Sequence, residues 1–98
     1  MIGVFVTFDC GSGFDAGKVA GIASHARSMF EGMPNLRHKF FTMDPDAGRA
    51  TNFYVWESEE AARAFFNEAL VERVTGLYGV APTIEYVEIA ETVTNPAS

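Results

Sequence analysis

Apolar and polar positions alternate from the start of the chain. Ile2, Val4, Val6 and Phe8 fall on one side of an extended segment, with Phe5 and Thr7 on the other, which predicts a strand over 2–8. Asp9-Cys10-Gly11-Ser12-Gly13 has turn chemistry. Beyond it Val19, Ile22, Ala23, Ala26, Met29, Phe30 and Met33 recur at helical spacing behind an Asp15 cap, and Gly32-Met33-Pro34-Asn35 should end that helix. A second strand is expected over 36–43, a turn at Asp44-Pro45-Asp46-Ala47-Gly48, and a third strand over 50–56. Ser58 then caps a helix that buries Ala62, Phe65, Phe66 and Ala69, and Glu57, Glu59 and Glu60 sit at the positive end of its dipole. The apolar stripe drifts after Leu70, so 71–78 reads as a separate short helix closed by Gly79. Pro82 opens a fourth strand over 83–92, and the tail, 95–98, is expected to fray.

This order, β-α-β-β-α-β, predicts a single ferredoxin-like α+β domain over residues 1–98: one four-stranded antiparallel sheet with both helices on one face. If the turn pairs Met43 with Ala50, then His38, Phe40, Thr42, Thr51, Phe53 and Val55 share one face. Arg37, Lys39, Phe41, Asn52, Tyr54 and Trp56 share the other. Both faces carry large aromatics, but two helices cover only one of them. The expected remedy is a homodimer through the sheet faces, which closes a barrel.

Composition narrows the picture. An apolar fraction of 48% with nine Phe is too rich for disorder, and no stretch approaches the roughly 18 apolar residues of a membrane helix. The first residues read as a strand and not as a secretion signal, so a cytoplasmic location is expected. A net charge of −6 argues against nucleic acid or an anionic membrane as partner, and the one basic cluster, Arg37-His38-Lys39, is too small to reverse this. Cys10 stands alone, which excludes an internal disulfide.

Candidate chemistry is sparse. Gly11-Ser12-Gly13-Phe14-Asp15-Ala16 fits a loose dinucleotide pattern, but the tight hairpin after the second strand is not a parallel βαβ unit, so no cofactor is expected there. His25 and His38 lack the further ligands a metal site needs, and no metal is expected. Glu85 and Glu88 fall on opposite faces of the fourth strand and make no catalytic pair. Phe5, Phe41, Tyr54 and Trp56, with Asn52 nearby, are either core packing or the wall of a pocket for a flat apolar ligand.

The segment Tyr54-Val55-Trp56-Glu57-Ser58-Glu59-Glu60-Ala61, the 9–16 loop and Pro34-Asn35-Leu36 together resemble the dimeric α+β barrel superfamily. Within it the resemblance is to the YdhR-type branch beside the antibiotic-biosynthesis monooxygenases. The resemblance implies a homodimer with a cavity in each subunit, and oxygenation of a hydrophobic aromatic, anthrone-like or phenol-like compound without flavin, haem or metal. Trp56 matches the family's tryptophan. His38 and His25 are the expected catalytic bases, and Asn52, Tyr54, Trp56 and Phe41 the expected substrate-binding residues. Nine residues beyond the tryptophan, where many relatives carry a helix histidine, this chain has Phe65, which disfavours haem ligation of that kind. The alternatives are an isomerase or cyclase on the same fold, or a non-enzymatic dimeric binding module.

Overall fold

The computed structural model describes residues 1–96; the last two positions of the expected frayed tail lie outside the described residues. β1 (Ile2–Asp9) is followed by a single 3₁₀ turn and α1 (Ala16–Phe30), then by the hairpin of β2 (Leu36–Asp44) and β3 (Arg49–Trp56), two helices α2 (Glu59–Phe65) and α3 (Glu68–Tyr78), and β4 (Thr83–Glu88). The strands form one sheet in the order β2-β3-β1-β4, antiparallel at every pairing. This is the ferredoxin-like α+β arrangement with its second helix broken in two.

Met43 pairs with Ala50 as the hairpin requires, so the two faces divide as the alternation dictates. Val4, Val6 and Phe8 of β1 and Ala50, Asn52, Tyr54 and Trp56 of β3 are buried beneath the helices together with Val19, Ala62 and Tyr78. Phe8 stacks on Tyr78 with ring centroids 3.7 Å apart, which pins α3 to the centre of the sheet. On the opposite, open face Phe5 and Phe53 lie 4.6 Å apart, and Phe53 and Phe40 lie 6.5 Å apart. Gly3 is what allows this, since a Cβ there would press within 3.0 Å of both Phe53 and Val87.

Three features differ from the expectation, each for a local reason. β2 carries a bulge between Leu36 and His38. Leu36 therefore takes the place opposite Trp56 that alternation gives to Arg37, and Arg37 turns outward to Glu57, Nε to Oε1 2.6 Å. Helix α1 ends as expected at the Gly32-Met33-Pro34-Asn35 segment, stopping at Phe30 because Gly32 adopts φ +71°, and Met33 beyond it still packs on the core. Helix α3 starts at Glu68 and not near Val71, because the Asn67 side chain caps it by accepting from the Leu70 amide at 2.9 Å; Ala69 is consequently exposed. β4 ends at Glu88 because its partner Ile2 is the first residue of β1, and the last bond there runs from the Ile89 amide to the Met1 carbonyl, 3.2 Å.

The glycine loop is occupied by the fold itself. The amides of Cys10 and Gly11 both donate to the Gly48 carbonyl, at 2.9 and 3.1 Å, and so tie the loop to the β2–β3 turn. No helix is long and apolar enough to cross a membrane among the described residues.

Candidate functional site

The sheet brings Lys39 of β2 opposite Tyr54 of β3, and Phe41 opposite Asn52. Both pairs face the helices. Lys39 Nζ donates to the Tyr54 hydroxyl at 2.7 Å and lies 3.6 Å from the ring centroid of Phe30 and 4.2 Å from those of Phe41 and Tyr54. No carboxylate pairs with it among the described residues. Burial pulls its ammonium from 10.5 down to about 7, and the three ring faces, which attract a cation, work in the opposite direction. Burial is also the first cause of the raised Tyr54 hydroxyl, with neighbouring Tyr78 second. Tyr54 therefore stays protonated wherever Lys39 titrates.

A cavity of about 70 Å³ opens between this group and helices α1 and α3, walled by Phe30, Phe41, Tyr54, Phe65 and Val74 and bordered by Lys39 and Arg73. A second chamber of about 230 Å³, under Val19, Ala20 and Ala23, shares Phe41, Asn52 and Tyr78 with the first. At that junction the Asn52 side-chain amide donates to the Tyr78 hydroxyl at 3.4 Å. Asn52 is the one buried polar residue among those described, and burial raises Tyr78 despite the opposing Asn52 bond. An outer groove of about 290 Å³ along the edge of β2 shares Phe30, Lys39 and Phe41 with the first chamber. The amine thus stands between solvent and the interior.

Of the six residues singled out in the sequence, Asn52, Tyr54 and Phe41 come together at this cavity. Trp56 is set one step away. It is 2% exposed and packed on Phe65 at 5.0 Å, where it supports the wall without lining it. Its indole Nε1 is buried with no hydrogen-bond partner among the described residues. His25 projects from the exposed side of α1. His38 lies on the open sheet face, stacked on Phe40 at 6.4 Å. Neither histidine reaches the cavity. In the sequence Lys39 reads as part of a small basic cluster, although alternation alone places it on the aromatic face opposite Tyr54. Among the described residues no group of three His, Cys, Asp or Glu side chains is placed to hold a metal ion.

No protein-family model and no curated protein matches the chain. Solved structures do. A protein of unknown function from Nitrosomonas europaea superposes with a TM-score of 0.68 at 20% identity, covering 99% of this chain and 95% of the other. A monooxygenase from the gene ActVA-Orf6 of Streptomyces coelicolor, in complex with nanaomycin D, gives 0.69 at 19% identity over 97% and 92%. A mutant of SnoaB, a cofactor-independent oxygenase from Streptomyces nogalater, gives 0.67 at 12% identity over 96% and 97%. At these identities the likeness is one of architecture: the chain shares the α+β fold of these structures.

Proposed function

We propose that the protein is a monooxygenase that works without a bound cofactor on a small, electron-rich hydroxy-aromatic compound held in the cavity beside Lys39. The observation that carries this reading is the Lys39 amine, 2.7 Å from the Tyr54 hydroxyl, set among aromatic rings and drawn by burial to titrate at about 7. Chemistry of this class needs a positioned proton acceptor with a pKa near the working pH. In its neutral form Nζ takes a proton from the substrate, and the ammonium so formed stays beside the new anion. That anion is electron-rich enough to reduce dioxygen itself. At an activated ring methylene, one oxygen atom becomes the new carbonyl and the other leaves as water with the two methylene hydrogens, so no external reductant enters. The Tyr54 hydroxyl and Asn52 amide are the donors available to a developing oxyanion. The fold shared with a monooxygenase and a cofactor-independent oxygenase supports the reading.

Two copies are proposed to pair through the open sheet face, where Phe5, Phe40 and Val87 are 38%, 54% and 37% exposed around Phe53. The lone Cys10 is in keeping with a reducing, cytoplasmic setting.

Oxygen uptake tests the activity. A panel of anthrones, hydroquinones and electron-rich phenols should include at least one member that drives uptake above the protein-free rate with no flavin, haem or metal added. Lys39→Met should lower that uptake by roughly 10²–10⁴-fold, and His25→Ala and His38→Ala should leave it intact. If no compound does so, a binding module without chemistry is the better reading.

A further inference from the structure

We infer, resting on the oxygenase reading, that the substrate is an aromatic acid, whose ring hydroxyl meets Lys39 and Tyr54 inside the cavity and whose carboxylate meets Arg73 at the rim. The argument comes from where the positive charges are left over. The chain has seven Lys and Arg residues. Four of them have carboxylate partners: Arg27 with Glu31, Arg37 with Glu57, Arg49 with Asp9 and Arg63 with Glu59. Lys18, Lys39 and Arg73 have none among the described residues.

Two of these three border the same cavity, whose lining contains no Asp or Glu at all. In a chain of net charge −6, an acid-free aromatic cavity holding two unpaired cations is a local reversal of sign. Its low-dielectric walls strengthen the field that a bound anion feels. The two cations are not equivalent. Lys39 is mostly buried and pushed toward its neutral form, which suits a hydroxyl that must give up a proton. Arg73 is exposed on α3, stays charged, and presents a planar fork that fits a carboxylate. A ligand that is acidic at one end and phenolic at the other satisfies both, with its hydroxyl turned toward Lys39 and its carboxylate toward Arg73.

Calorimetric titration of the full chain with 6-hydroxy-2-naphthoate and with its neutral counterpart 6-hydroxy-2-naphthamide tests this. At pH 7 and low salt the acid should bind about fivefold more tightly, as expected for an ion pair at a partly exposed site, and salt should erode that margin. Arg73→Gln, a surface change, should remove the difference between the two, bringing the ratio of acid to amide affinity close to one. Equal binding of acid and amide to the unaltered protein, a preference that survives Arg73→Gln, or no binding of either compound at millimolar concentration would each overturn the inference. Oxygen uptake by neutral substrates alone would do so while leaving the oxygenase reading standing; selective binding of the acid without any uptake would do the reverse.

Discussion

Lys39 and Tyr54 occupy directly paired positions of the β2–β3 ladder, and their side chains meet 2.7 Å apart on the helix side of the sheet. Cross-strand neighbours on one face are close by construction, so this contact is written into the hairpin register. A one-residue slip of β2 against β3, whose own register is held by β1, would send Lys39 to the open face while Tyr54 stays beneath the helices, and so dissolve the site.

The pH dependence of turnover follows from the protonation state that the chemistry needs. In the proposed mechanism the acceptor is the neutral amine, so kcat/KM should rise with pH and level off above about 7, where burial places Lys39. Lys39→Met should lower turnover by roughly 10²–10⁴-fold and remove the inflection. An unchanged profile in that variant would assign the base elsewhere.

Folding stability should carry the same signature. The Lys39 ammonium is lowered from 10.5 to about 7 on folding, so between those values the unfolded chain binds more protons than the folded one. Stability therefore rises with pH across this window, and the contribution is lost as pH falls through about 7. Above about 10 the raised Tyr54 and Tyr78 work the other way, because their hydroxyls ionise first in the unfolded chain. Urea midpoints measured from pH 6 to 10 should climb more steeply for the unaltered protein than for Lys39→Met; parallel curves would show that the amine is not desolvated.

The strands were legible because their period-two pattern and the Met43–Ala50 register leave few alternatives. Val4, Val6 and Phe8 could face only the helices once Phe5 and Thr7 were assigned outward. Boundaries set by a single backbone event were not: the bulge that turns Arg37 out to Glu57 has no composition cue, and the Asn67 cap competes with the neighbouring helical residues. The site was half visible. Asn52, Tyr54 and Phe41 could be placed on one face, but histidine was favoured as the base because its ordinary pKa is near neutrality. That a lysine would be buried enough to compete with it depends on Phe30 of α1 closing over β2, a contact between distant segments that periodicity does not reveal.

Packing makes an ordered prediction for two phenylalanines. Phe8 is fully buried and stacked on Tyr78, so Phe8→Ala should cost about 4–5 kcal/mol. Phe65 is only partly buried and borders the cavity, so Phe65→Ala should cost about 3 kcal/mol, with the cavity enlarged and ligand binding altered. Chemical denaturation of both variants checks the order, and a larger loss at Phe65 would contradict the helix placement.

Gly48→Ala should be among the most damaging single-methyl additions. Gly48 adopts φ +67°, and a Cβ there would collide with the backbone carbonyl of Gly11, the segment whose amides Gly48 binds. Neither backbone can yield without breaking those bonds. The expected loss is about 3 kcal/mol or more. Gly11 also has positive φ, +56°, but open space around it, so Gly11→Ala should cost less, about 1–2 kcal/mol. Thermal melts of the two variants separate collision from dihedral strain.

Association is predicted from the open face. Phe40 is 54% exposed and Phe5 38%, and with Phe53 they form a continuous aromatic row across three strands. At about 25 cal/mol per Å² of apolar area removed from water, covering such a row supplies a driving force that scattered surface side chains lack. The unaltered protein should sediment as a dimer at micromolar concentration. Phe40→Asp places a charge in the middle of the row and, because the side chain makes no helix-side contact, should leave the fold intact by circular dichroism while shifting the protein to monomer. A monomer in the unaltered protein, or a dimer indifferent to Phe40→Asp, would mean that the row serves another purpose. Because the Lys39 cavity lies on the opposite side of the sheet, the monomeric variant should keep its ligand binding.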